Sequence, residues 1–325
     1  MRRVMSSPAP ESRPRFAAWL RPVARRPGEV QFGVLPDGPI VTGLTAAETD
    51  LLALLDGSRP VSSTYRDAAR AGVPARRWRE LLELVARLGV LESPPPEPSS
   101  ATVRTLPGVA GPPSTPRAAD VDGAARHVVV DGDGGLVDDI VTLVRRGGVG
   151  EITHGRQAVD HVIADPRTNR PDLVVLVGPV AIDPRRGDVW LGHGVPHLPV
   201  VPSGARVTVG PLVDPGTGPC LWCLDLHRTD RDPAWPTLMA QLCPGGGTVV
   251  TGPPAGGAEL DPALAQLVAG SVALLATQLL AGAHPPPGVS VEVSLPWPRM
   301  DHRRWTSHPR CLRHLGASSP GHDAA

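Results

Sequence analysis

The spacing of apolar residues along the chain outlines two compact units. In the first, Val30-Gln31-Phe32-Gly33-Val34-Leu35 and Pro39-Ile40-Val41-Thr42 flank a Pro36-Asp37-Gly38 turn and predict paired strands. The period then lengthens. Thr45-Ala46-Ala47-Glu48 is a capping-box pattern, and Leu51, Leu52, Leu54 and Leu55 follow at helical spacing up to Gly57. A second short helix is expected from Thr64 to Ala71, closed by Gly72. A third runs from Ala75 to Leu88, with Trp78, Leu81, Leu82, Val85 and Leu88 on one face and Gly89 as its stop. Val90-Leu91 begins a last strand. Paired strands with three helices suggest a winged-helix-like unit over residues 16–92.

Residues 93–122 break the pattern with Ser-Pro-Pro-Pro and Gly-Pro-Pro-Ser runs, the composition of a semi-stiff linker. Residues 1–15 and 316–325 have the composition of disordered ends. The second unit, residues 123–315, alternates buried-strand and helix patterns. His127–Val130, Asp172–Val177, Arg206–Val213 and Val289–Val293 read as strands, and Leu136–Arg146 and Pro262–Ala281 as helices. That alternation predicts an α/β sheet covered by helices. Pro262–Ala281 is long and uncharged enough to raise a membrane span. Asp261 as N-cap, Pro262 in the first turn and Gly282 at the end favour a buried core helix instead.

Composition narrows the chemistry. The charge is balanced, with 32 basic and 32 acidic residues, which argues against a whole-chain polyanion binder. All 32 basic residues are arginine. A chain without lysine offers no Schiff base, no P-loop lysine and no lysine on an ATP phosphate. Met1-Arg2-Arg3-Val4 leads into Ser, Pro and Glu rather than an apolar run, so a cytoplasmic, thiol-reducing setting is expected.

Three of the four cysteines fall into two half-sites, Cys220-Leu221-Trp222-Cys223 and Cys311-Leu312-Arg313-His314. Each short spacing lets two ligands grip one ion from a tight turn, and two such turns supply the N/S donors of a closed tetrahedral zinc site. His308 competes with His314 for the fourth position. Cys243 is left over as a loop thiol or an acyl- or sulfur-carrying nucleophile. The run Asp225, His227, Arg228, Asp230, Arg231, Asp232 reads as a charge-paired helix start, with His227 as a candidate base.

Asp131-Gly132-Asp133-Gly134-Gly135-Leu136-Val137 places Gly132, Gly134 and Gly135 at a strand-to-helix turn, where a helix N-terminus favours phosphate. Val137 replaces the third glycine of a dinucleotide turn and would crowd helix against strand. Four nearby carboxylates, Asp131, Asp133, Asp138 and Asp139, repel a phosphate. The turn therefore reads as vestigial.

This glycine turn, followed by Leu143-Val144-Arg145-Arg146-Gly147-Gly148-Val149-Gly150, resembles the ThiF/MoeB-like fold of ubiquitin-like-protein activators. Within that group, Val209–Gly216, Gly218–Pro236 and Ala240-Gln241-Leu242 are similar to actinobacterial proteins of the bacteriocin cyclodehydratase, precursor-leader-binding group. The resemblance implies a Rossmann-like ThiF-type domain with structural Zn2+ and an N-terminal clamp for a leader peptide. It also implies a YcaO-type cyclodehydratase as partner. Active relatives carry an acidic strand end and then Arg and Lys on ATP. Here that stretch reads Glu151-Ile152-Thr153-His154-Gly155-Arg156-Gln157, which implies that ATP-dependent adenylation is lost. Three functions follow: a leader-peptide scaffold without catalysis, an active adenylyltransferase acting on a C-terminal carboxylate, or a DNA-binding winged helix using Arg76, Arg77 and Arg79. The small arginine cluster argues against nucleic acid, and a homodimer stays open.

Overall fold

The computed structural model describes residues 10–36, 38–92, 126–164, 170–178, 180–243 and 260–314. In the first unit, β1 (Pro22–Arg26), β2 (Glu29–Phe32) and β3 (Ile40–Thr42) form an antiparallel sheet in that order. β1 is a strand that the apolar pattern does not announce, because Val23 is its one core side chain and its last two residues are arginines. Three helices follow: α1 (Ala46–Ala53), α2 (Val61–Arg70) and α3 (Ala75–Leu88).

The expected capping box opens α1. Thr45 N–H donates to Glu48 Oε2 at 2.8 Å and Glu48 N–H to Thr45 Oγ1 at 3.2 Å. α2 begins three residues before Thr64, at Val61, whose side chain also enters the core. α3 buries Trp78, Leu81, Leu82 and Val85, each worth about 2 kcal/mol of apolar transfer. Leu88 does not join that face and is exposed. Gly89, at φ 68°, ends the helix in the left-handed conformation that glycine tolerates. Residues 10–15 run beside α2: the carbonyls of Pro10, Ser12 and Pro14 accept backbone N–H groups of Ser62, Val61 and Gly57. The linker 93–122, the tail 316–325 and residues 1–9 lie outside the described residues.

The second unit holds a seven-stranded sheet in the order β10-β9-β8-β7-β6-β4-β5. Its parallel half comprises β4 (His127–Asp131), β5 (Glu151–His154), β6 (Leu173–Val177) and β7 (His197–Ser203). β8 (Arg206–Val209), β9 (Val289–Ser294) and β10 (Arg299–Arg304) extend it antiparallel. β4 and β6 are buried at every position, as a central parallel strand under two helix layers must be. α4 (Gly135–Arg146) and α9 (Pro262–Leu280) cover one face. α6 (Pro184–Gly192) and α7 (Leu221–Arg231) cover the other, and α5 (Arg156–Ala164) and α8 (Trp235–Leu242) complete the domain. α9 is long and apolar enough to cross a membrane. It lays Leu264, Val268, Val272 and Ala276 into the core against α4, as the caps suggested.

The two units are joined along β1. Arg25 forks onto both carboxylate oxygens of Asp232, at 2.8 and 2.7 Å. Gln241 of α8 accepts from Ala24 N–H at 2.9 Å and donates to Ala24 C=O at 2.7 Å. A side-chain amide thus takes the place of a neighbouring strand and closes the β1 edge. Beside it, the Trp19 ring lies on Gly204 in the β7–β8 turn, where any Cβ would collide with it.

Candidate metal centre

Cys220 is the N-cap residue of α7 and Cys223 lies in its first turn. Cys311 and His314 follow β10 in a chain of tight turns, where Cys311 N–H bonds His308 C=O and His314 N–H bonds Cys311 C=O. The four donor atoms lie within 4.8 Å of one another, and all three cysteines are buried. Cys220 Sγ is 3.8 Å from Cys223 Sγ and 3.7 Å from Cys311 Sγ. A tetrahedral ion with metal–sulfur bonds of about 2.3 Å spaces its sulfurs by about 3.8 Å. The spacing is that of three ligands around one centre, and no disulfide joins any of them.

Electrostatics favours the same arrangement. The hydrogen bond to Cys223, with burial, pushes Cys220 up to about 12. Cys223, taking that bond from Cys220, is lowered, and burial raises Cys311. Three thiols this close cannot all ionise without a cation among them. His314 Nε2 is buried with no hydrogen-bond partner among the described residues. This group could hold a metal ion, and its donors suit a closed site without a position for substrate.

The two candidate histidines differ in their surroundings. His308 is 3 % exposed, but both ring nitrogens are taken. Nδ1 accepts Arg310 N–H at 3.1 Å, and Nε2 meets Asp230 Oδ2 at 2.8 Å. Both His308 nitrogens are thus engaged away from the cysteine cluster. The His308 backbone N–H instead donates to Cys223 Sγ at 3.3 Å, a contact that favours thiolate. His227 likewise braces this loop: Nε2 meets Thr306 C=O at 3.0 Å and the ring packs edge-on against His308. A further residue, invisible to motif reading, ties the two turns. Asp188 of α6 accepts Trp222 Nε1–H at 3.0 Å and pairs with Arg313 at 2.6 Å. Trp222 and Arg313 hold the same position in their two half-sites, so one carboxylate spans both.

The polar run on α7 is resolved too. It is charge-paired, as expected, but it is not a helix start: it occupies the body and end of α7, and apart from Asp225 with Arg228 its partners come from elsewhere. Asp225 takes Arg228 at 3.3 Å, Asp230 takes His308 and Arg310, and Asp232 takes Arg25. Burial raises Asp225, against the pull of Arg228. Cys243 caps the C-terminus of α8 and is half-buried. Burial, with Asp183 and Asp225 nearby, pushes its thiol up to about 12, so it stays protonated at neutral pH.

At the glycine turn, Gly132 is dictated by β6: a Cβ there would lie 2.8 Å from Val177 O. Gly134 caps α4 at φ 102°, and Gly135 has open space around it. Val137 does not crowd the helix. It is 2 % exposed, a member of the core between α4 and the sheet. Asp131, 2 % exposed at the end of β4, pairs with Arg186 of α6. Asp138 already sits in the first turn of α4, where an incoming anion would lie. The side chains of Arg156 and Gln157 are not described. In the first unit, Arg76 pairs with Glu80 at 3.6 Å and Arg77 with Glu48 at 2.6 Å, so two of the three clustered arginines are neutralised.

Fold and site together define an α/β domain with a Cys3His donor cluster, joined to a small three-stranded unit. No known family and no curated protein matches the sequence. Among solved structures, the chain is similar to a heterocyclase in complex with substrate and cofactor, at 17 % identity and a TM-score of 0.40, over 93 % of this chain and 39 % of that one. It is similar to the heterocyclase TruD at 15 % identity and 0.42, over 93 % and 42 %. It is also similar to the E. coli microcin synthetase McbBCD complex at 12 % identity and 0.40, over 89 % and 96 %. The chain thus spans about two fifths of the length of those two heterocyclases.

Proposed function

We propose that this chain is a zinc-stapled recognition subunit. It would bind the leader of a precursor peptide and present it to a partner heterocyclase of the YcaO type, without performing adenylation itself. The observation that carries the reading is the asymmetry of the three-stranded sheet. Gln241 closes the β1 edge, while β3 pairs only with β2 among the described strands. An extended peptide can therefore add at β3, with main-chain bonds for affinity and the alternating pockets of a sheet edge for selectivity. The winged-helix-like character of this unit belongs to the same proposal, as does the resemblance of residues 209–242 to leader-binding cyclodehydratase proteins.

Two features support lost adenylation. Arg186 on Asp131 occupies the strand end that faces the glycine turn, and no lysine is available for a triphosphate. Zinc is the ion proposed for Cys220, Cys223, Cys311 and His314, because thiolate and imidazole donors at tetrahedral spacing suit it. When bound, it supplies cross-linking rather than Lewis acidity, since the four protein ligands complete its coordination.

The test is backbone hydrogen exchange with and without a candidate leader peptide. Slower exchange confined to β3 and the start of α3 supports the reading. Protection on α4 and the glycine turn, with β3 unchanged, rejects it.

A further inference from the structure

Trp305 is 5 % exposed, although it lies just past the edge strand β10. Its indole N–H is spent on Ser290 Oγ at 2.9 Å, and its backbone N–H on Gly288 C=O at 2.8 Å. Three guanidinium groups cover it: Arg228 at 5.6 Å, Arg231 at 5.3 Å and Arg303 at 5.0 Å from the ring centre. Arg228 has Asp225 as counter-charge. Arg231 and Arg303 pair with no carboxylate among the described residues. The three acids on and just after α7 are committed, Asp225 to Arg228, Asp230 to His308 and Arg310, and Asp232 to Arg25. The C-terminal end of α7 accounts for a cation at Arg231. It does not account for Arg303, which comes from a different element and repels it. Burial and this repulsion together lower Arg231.

These two arginines stand beside an open sheet edge. β10 ends the seven-strand order and pairs only with β9 among the described strands. On a strand, Arg299, Asp301 and Arg303 point to one face and Met300, His302 and Arg304 to the other. The α7 arginines and Trp305 therefore lie on the Arg303 face. Arginine along this edge disfavours pairing with a second copy of the same strand. It suits a strand of opposite charge.

We propose that β10, Arg231 and Arg303 form a docking site for an extended acidic segment of a partner polypeptide. The segment would add as an eighth strand and place carboxylates onto the two guanidiniums over Trp305. The inference does not depend on the leader-peptide reading, which concerns the other sheet.

The test uses the full chain and a fluorescein-labelled acetyl-(Thr-Glu)4 peptide, with acetyl-(Thr-Gln)4 as the neutral counterpart, read by anisotropy at low salt. Only the Glu peptide is expected to bind. Each of Arg231→Gln and Arg303→Gln should weaken it about three- to tenfold, while Arg304→Gln, which removes the same charge from the other face, should change it less than about twofold. Melting temperature and metal content confirm that each variant is folded. Should Arg231→Gln fail to fold, Arg303→Gln on the exposed strand reads the same site. Equal binding of the Glu and Gln peptides, or equal loss in all three variants, overturns the proposal. So does saturable binding of inorganic phosphate that needs Arg231 and Arg303 while the Glu peptide is ignored.

Discussion

At the metal turn, donors from segments 91 residues apart in sequence converge to tetrahedral spacing, and their surroundings favour a cation. At the glycine turn of the same domain, the residue best placed to meet a cofactor, Asp131, is buried against Arg186. One site brings together four donors that could hold a metal ion. The other keeps only its backbone, since Gly132 and Gly134 still serve packing and helix entry. Gly132 is required where a Cβ has no room, whether or not a nucleotide is ever bound.

Cys220→Ser should break the comparison most severely. Losing one thiolate from a closed site is expected to remove the metal and cost about 3–5 kcal/mol, lowering the melting temperature by about 10 °C. Calorimetry with elemental analysis checks this; a fully stable, metal-free variant would contradict it. His197, fully buried beneath the metal turn against Leu221 and Gly187, gives a pH-dependent effect. Burial pushes it down to about 4, below the 6.5 of an unfolded chain. The unfolded state therefore binds the proton first on acidification. The stability contributed by neutral His197 is fully present above about pH 6.5. As pH falls to about 4, it is lost by up to about 3 kcal/mol. Urea melts of His197→Leu against the natural chain should show that slope disappear between these limits.

The glycine turn should respond differently. Arg186→Leu leaves Asp131 buried without this partner and is expected to cost about 2 kcal/mol, with no change in metal content. Adding Asp131→Asn should recover most of the loss, and a double-mutant cycle measures the coupling. The smallest effect is at the joint between units. Gln241→Ala removes two hydrogen bonds to Ala24, costs about 1 kcal/mol and speeds exchange of the Ala24 amide.

The three clustered cysteines and the first-unit helices are legible in the sequence because their signals are local. Two half-sites with fixed spacing need no knowledge of the fold, and Thr45, Glu48 and Gly89 mark helix ends wherever the helices pack. The difference between His314 and His308 is not local. It depends on Asp230 and the Arg310 amide occupying the His308 ring. β1, α6 and β10 are hidden for another reason. Pro-Val-Ala-Arg-Arg, Pro-Arg-Arg-Gly-Asp and Arg-Met-Asp-His-Arg-Arg lack an apolar period, because these elements sit at edges or on partners the chain supplies from far away. Asp188 bridging Trp222 and Arg313, and Gln241 closing β1, are likewise products of tertiary structure.

A metal-stapled domain whose nucleotide turn is closed should not activate a carboxylate with ATP. ATP–pyrophosphate exchange by the full-length, zinc-replete protein with its precursor peptide tests it most directly. Exchange should be no greater than that of a Cys220→Ser preparation. Robust exchange, dependent on Gly134 and abolished by its replacement with valine, would contradict it.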